Sequence, residues 1–214
     1  MRTWSKVALA SCLLSNAVLL GADIDSGSVI RCVNPKPVTH SGSGRKANYT
    51  FSSEVDCTVS NVSMDFDALR QRYVQISRDS SPDPVASGDM TGFKVSSTRT
   101  YNVAGEGKMV VRFDETIANN DQKLVDKAQS AEFLQTDGNT EYTRSINEDI
   151  TVTLAENNVA KVNVKKTIVV YRPWIAPEGI FVERATNNLT QDLKDLGNEH
   201  SARVKAANSS THEL

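Results

Sequence analysis

Apolar and polar residues alternate almost without a break over residues 49–60. Tyr49, Phe51, Val55, Cys57 and Val59 fall on one side, while Thr50, Ser52, Glu54, Asp56, Thr58 and Ser60 fall on the other. A period of two is the mark of a strand with one face buried and one wet. The same rhythm predicts a short strand over 29–33, with Ile30 and Cys32 on one face. It returns at Phe93, Val95, Tyr101 and Val103, at Met109, Val111 and Phe113, and at Ile150, Val152 and Leu154. The longest run has Ala160, Val162, Val164, Ile168 and Val170 on its apolar side. Lys166 breaks that side, which predicts a bend or a sheet edge, and a strand over 159–171 reaching about 43 Å is expected to bend. With Lys161 and Lys165, Lys166 is read as part of a solvated outer face.

Three segments change period. Over 63–78, Phe66, Leu69, Tyr73 and Ile76 recur at helical spacing, with Ser63 or Asp65 placed to cap. Over 119–134 the reading is ambiguous, and Leu124, Ala128 and Ala131 suit one face of a helix capped by Asn120 or Asp121. From Pro177, Phe181, Ala185, Leu189, Leu193 and Leu196 make a stripe that Gly197 is placed to end. Turn residues separate these elements at 34–47, 79–89, 104–107, 137–138 and 156–158. Residues 198–214 are polar and predict a flexible tail.

These elements predict an α+β fold: an antiparallel, curved sheet of about six strands covered by amphipathic helices, including a long C-terminal one. The boundaries are 1–22 for a signal peptide, 23–197 for a single globular domain and 198–214 for the tail. The element order is similar to that of helix-grip lipid carriers, on order alone and on no motif, so it assigns no family.

The first residues alter the picture of where the chain works. A short positive region (Arg2, Lys6), an apolar run over 7–20 and small residues at Gly21 and Ala22 predict export to a periplasm or the exterior. Cys12 sits inside that run, and its surroundings also resemble a lipoprotein box, though most of the apolar run would then follow the cysteine. Once 1–22 is removed, Cys32 and Cys57 remain as an even pair, for which a disulfide is expected outside the cytoplasm. The formal charge of −2 becomes −4 when Arg2 and Lys6 leave, so no basic surface for nucleic acid is expected. No segment besides 7–20 approaches spanning length, so no stable membrane insertion is expected.

The search for chemistry finds little. His40, His200 and His212 fall in a loop and the tail without ligand spacing, which predicts solvated histidines, no metal and no cofactor. Ser43 to Lys46 matches Ser-x-x-Lys but lies in a Gly/Ser-rich loop, where no helix holds the lysine against the serine. The adjacent carboxylates Asp114-Glu115 and Glu148-Asp149 point to opposite faces of a strand and read as charged strand ends. The remaining local feature is the run from Tyr171 to Pro177, where Trp174 stands between two prolines. Trp174, Tyr171 and Phe181 are therefore the candidate ligand contacts, with Trp174 either lining the mouth of a pocket between sheet and helix or, as the preferred reading, plugging the end of the core. The functional expectation is an exported, non-catalytic binding protein for an apolar small molecule or an envelope or extracellular protein. The alternative is a hydrolase whose site assembles only in three dimensions.

Overall fold

The computed structural model describes residues 27–79, 87–89, 92–103, 107–120, 123–137 and 141–209. The predicted signal segment with Cys12, residues 104–106, the turn at Gly138 and His212 lie outside the described residues.

The chain runs β1 (Ile30–Cys32), β2 (Thr39–Ser41), β3 (Ala47–Val59), α1 (Phe66–Asp79), β4 (Ser87–Asp89), β5 (Gly92–Val103), β6 (Gly107–Asn120), β7 (Lys123–Thr136), β8 (Thr143–Ala155), β9 (Val159–Arg172) and α2 (Glu178–Ser209). The nine strands form one antiparallel sheet in the order β1-β3-β9-β8-β7-β6-β5-β4, with β2 also on β3. The α+β fold with a curved antiparallel sheet and a long closing helix is what the patterning predicts, with more strands than the six counted from it.

The curvature has a direct measure. Arg99 on β5 and Glu148 on β8 are three strands apart, which in a flat sheet separates the backbones by about 14 Å. Their side chains nevertheless meet at 2.6 Å. The sheet curls so that its inner face wraps around α2, and the register shifts in the β6–β7 pair at Val110/Val111 and Arg112/Phe113 are bends of the kind that tighten such a curl. At the β8–β9 turn, Asn157 and Asn158 take positive φ, a conformation asparagine tolerates better than most residues.

Asp65 caps α1 by accepting a hydrogen bond from the Ala68 amide at 2.8 Å. The 32-residue α2 is about 48 Å long. It packs Phe181, Ala185, Leu189, Leu193 and Leu196 onto β3 and β9. Tyr49, Phe51, Val55, Cys57, Val162 and Val164 meet it from the sheet side in one apolar core.

Three sequence expectations are corrected. Residues 123–136 are a strand, β7, because Leu124, Asp126 and Ala128 share the inner face at period two. The helical spacing of Leu124, Ala128 and Ala131 is coincidental, since Ala131 is exposed. Residues 198–209 are not a flexible tail: α2 continues through Gly197 and buries His200, Ser201, Val204, Ala207 and Asn208. Only Val204 in that set is strongly apolar, so the stripe continues without a hydrophobic signature.

Gly197 is mid-helix for a packing reason. The Cys32–Cys57 disulfide, expected from the paired cysteines, is present and closes a separation of 25 residues, a constraint worth about 3 kcal/mol. A Cβ on Gly197 would stand 2.9 Å from Cys57 Sγ and 3.1 Å from Val55 Cγ1. Gly197→Ala gains up to about 1 kcal/mol of helix propensity, while overpacking typically costs about 1–3 kcal/mol. The steric term wins because both neighbours are fixed, one by the disulfide and one by the core. A thermal melt should show a lowered midpoint for Gly197→Ala, and a raised midpoint would show that the disulfide yields.

Candidate functional site: a charged belt and a cleft beneath the closing helix

The inner face of the sheet is apolar at both ends and charged across its middle. Strand parity places Lys166 between Val164 and Ile168, Glu148 between Ile146 and Ile150, Glu115 between Phe113 and Ile117, and Asp126 between Leu124 and Ala128. Arg99 enters from β5 beside Tyr101. Lys166 and Glu148 are 3% and 1% exposed, so the sequence expectation of a solvated lysine face and charged strand ends is corrected for these two. Glu115 is buried as well. Lys166 is not a sheet edge either, because β9 lies between β3 and β8.

Burial of such groups demands pairing. Lys166 Nζ lies 3.1 Å from Glu148 Oε1 and 3.2 Å from Asp192 Oδ2 on α2. Glu148 Oε2 receives Arg99 Nη1 at 2.6 Å, and Arg99 Nη2 reaches Glu115 at 3.9 Å. The Arg99 guanidinium also rests over the Phe113 ring at 4.6 Å. Charges thus alternate from Asp192 through Lys166, Glu148 and Arg99 to Glu115. Burial raises the Glu148 carboxyl, but Arg99 and then Lys166 outweigh it and hold the pKa down at about 2. Burial raises that of Asp192, against the pull of Lys166.

A second group lies under the C-terminal half of α2. Tyr73 Oη stands 2.6 Å from His200 Nδ1 and 3.5 Å from Asp126 Oδ2. His200 is 2% exposed, which corrects the expectation of a solvated histidine. Burial, aided by Arg203, lowers its pKa from 6.5 to about 3, so the ring is neutral. Burial and then Glu115 push the Asp126 carboxyl well up.

Those two shifts oppose each other in pH. The unfolded chain protonates its histidine below 6.5 and the fold does not until about 3, so this stability is whole above pH 6.5 and declines as pH falls. Asp126 holds its proton to higher pH in the fold, so its contribution is whole at low pH and is lost as pH rises. His200→Gln keeps a hydrogen-bond partner for Tyr73 and removes only the first contribution. Urea melts at pH 4, 5 and 6 should show the gap between variant and parent widening by about 1.4 kcal/mol per pH unit as pH rises. A constant gap would mean that His200 titrates alike in both states.

Between the N-terminal half of α2 and the curled strands lies a cleft of about 50 Å³, open on one side. Its walls are Tyr101, Met109, Ile146, Ile168, Val170 and Ala185. Thr143, Asn188, Lys166 and Asp192 supply its polar surface, so the charged belt ends in the cleft. Asp192 Oδ1 is buried and has no hydrogen-bond partner among the described residues.

The three residues predicted from sequence are placed separately. Trp174 is 62% exposed at the turn into α2. Tyr171 points away from the core, stacks on Tyr142 at 6.2 Å and lies under the Arg144 guanidinium. Phe181 is buried against Tyr49 and Phe51. The cleft is lined instead by Val170, next to Tyr171, and by Ala185, one turn beyond Phe181. The turn itself is held by the buried Arg172, which donates to the carbonyls of Ala176 and Gly44 and pairs with Glu178 at 2.9 Å. Lys166, Glu148, Asp192 and His200 went unrecognised as site residues. Their one sequence signal is a polar or charged residue at an inward position of an otherwise apolar strand face or helix stripe.

Among the described residues no group of His, Cys, Asp or Glu is arranged to hold a metal ion. No described helix is long and apolar enough to cross a membrane.

No family model and no curated protein matches the chain. Among solved structures, it is similar to Ara h 8.0201, at 15% identity over 77% of this chain and 99% of that one, with a TM-score of 0.42. It is similar to human STARD10 at 8% identity over 79% of this chain and 73% of that one, with a TM-score of 0.36. The third is the Mll3558 protein from Rhizobium loti, at 16% identity over 74% of this chain and 98% of that one, with a TM-score of 0.30.

Proposed function

We propose that this chain is an exported, non-catalytic binding protein that receives the apolar part of a small ligand in the cleft between α2 and the curled sheet. The observation that carries the reading is the cleft itself. Six apolar side chains line it, and Lys166, Asp192, Thr143 and Asn188 complete its walls with polar groups. Ligand sites of this composition, mostly apolar with a few fixed polar groups, are the usual form for small-molecule binding. The Cys32–Cys57 disulfide supports a site of action outside the reducing cytoplasm.

A hydrolytic reading would draw on the Tyr73, His200 and Asp126 group. Tyr73 and His200 are only 1% and 2% exposed and neither lines the cleft, so a substrate held there would not reach them. That separation supports binding over catalysis.

Native mass spectrometry of the protein purified from an exporting host tests the reading. The expected result is a fraction of the protein carrying an added mass that leaves on denaturation and that organic extraction recovers. Mutation of Ile168 and Val170 to larger side chains should remove that mass. Retention of it by the filled-in variant would place the ligand elsewhere.

A further inference from the structure

Among the described residues, three of the exposed large apolar side chains fall close together in sequence: Trp174 at 62%, Ile175 at 47% and Ile180 at 49%. Trp174 and Ile175 are the middle residues of a turn closed by the Ala176 amide on the Pro173 carbonyl at 3.2 Å. Ile180 lies in the first turn of α2. These side chains project from a bend where β9 hands over to α2.

The bend is held in place, and its surroundings are basic. The Arg172 guanidinium binds the Ala176 carbonyl at 3.0 Å and the Gly44 carbonyl at 2.7 Å, so it fixes the loop around Gly44 beside the turn. The exposed Arg45 and Lys46 follow Gly44 directly. Arg144, also exposed, lies over the Tyr171 ring at 5.2 Å, and Tyr171 stacks on Tyr142. Arg172 itself is neutralised by Glu178. Out to Arg184, the other charges here are Arg45, Lys46, Arg144 and Arg184 against Glu141 and Glu183, a positive excess in a chain whose net charge is −2.

An occupant of this surface must cover apolar side chains and accept a positive rim. A bilayer containing anionic lipids does both. Its interface takes up Trp and Tyr rings at head-group depth, and its surface attracts Lys and Arg. Attachment without a spanning helix needs two such signals together. A bilayer also yields to a projecting bend, whereas a protein partner would need a matching hollow.

We propose that the bend from Trp174 to Ile180 docks peripherally on an anionic phospholipid membrane, with Trp174, Ile175 and Ile180 entering the interface and Arg45, Lys46 and Arg144 meeting lipid phosphates. This does not depend on the cleft, and its test uses no cleft ligand.

The test is flotation of the protein purified from an exporting host with vesicles of phosphatidylcholine alone or with about 30% phosphatidylglycerol. Partition onto the anionic vesicles is expected to exceed that onto phosphatidylcholine by at least about tenfold, since each cation near such a surface contributes about fivefold. The excess should disappear in about 1 M salt. Ile175→Ser with Ile180→Ser should lower partition onto the anionic vesicles by at least about tenfold. Arg45→Gln, Lys46→Gln and Arg144→Gln together should remove the preference for them and leave binding to phosphatidylcholine unchanged. All five positions are exposed, so these variants should melt like the parent. Val29→Ser with Val33→Ser alters exposed apolar residues at the opposite end of β3 and should leave partition unchanged. All are compared in the same preparation, so any lipid contact of residues 7–20 cancels between them. Equal partition of the unaltered protein onto both vesicles, or an equal loss in the Val29 and Val33 variant, would overturn the proposal. So would a protein crosslinked through position 174 in the exporting host together with no flotation, which would make a protein the occupant.

Discussion

Ending the chain after Gly197 should abolish cooperative folding at 25 °C. Beyond that residue α2 still buries His200, Ser201, Val204, Ala207 and Asn208, with Val204 and Ala207 fully enclosed. Asn208 ties three places together. Its Nδ2 donates to Ser28 Oγ and the Asn61 carbonyl, and its Oδ1 accepts from the Ser63 amide, each at 3.0 Å. Truncation would strip those partners and leave the buried Tyr73 hydroxyl without His200. Burial of the two apolar side chains contributes about 2–3 kcal/mol, and each orphaned buried group costs about 1–3 kcal/mol. The total exceeds about 5 kcal/mol, against a typical global stability of about 5–15 kcal/mol. Circular dichroism during a urea titration should show a gradual loss of signal in place of a sigmoid. A midpoint close to that of the full chain would mean that the last turns of α2 are dispensable.

That expectation reverses what hydrophobicity alone suggests, and the reason shows where sequence reading stops. Elements whose buried face is apolar were legible. The strict alternation around Phe51 and Val55, the helical spacing from Phe66 to Ile76 and the stripe from Phe181 to Leu196 each mark an element found at that place. Where the buried face carries polar groups, the same reasoning fails. In β7 the inward Asp126 reads as an outward residue, so the remaining apolar positions suggest a helix. In the last turns of α2, His200, Ser201 and Asn208 read as tail.

The candidate site was hidden for the same physical reason. A charge at an inward strand position looks like an error in the pattern, and at Lys166 it reads as a bend or a sheet edge. Its partners come from β8 and α2, so neither is near it in sequence, and only the curl of the sheet brings Arg99 to the same carboxylate. The disulfide was legible because cysteine parity needs no geometry. The aromatic run around Trp174 adjoins the cleft, since Val170 just before it is one of the lining residues, while Trp174 itself is exposed.

Because the belt is paired throughout, removing its central cation should have a large effect whose pH dependence identifies its origin. Lys166→Met keeps a long, flexible side chain of similar volume, so little packing is lost. It leaves Asp192 without its cation and Glu148 with Arg99 alone, and breaking a buried pair in this way costs about 3–5 kcal/mol at neutral pH. The penalty should shrink in acid. In the parent protein the depressed Glu148 contributes stability that is whole above its ordinary value of 4.5 and is lost as pH falls through about 2. In the variant Glu148 lacks one of the cations that depress it, so less stability remains to be lost over that interval. Asp192 can also take up a proton and cease to be an unpaired charge. Urea melts of parent and variant at pH 7 and pH 3 should therefore converge. Adding Asp192→Leu to Lys166→Met should recover at least about 1 kcal/mol at pH 7, because it removes the stranded carboxylate. An equal penalty at both pH values, with no recovery in the double variant, would mean that Lys166 matters for its packing and that the belt does not act as an electrostatic unit.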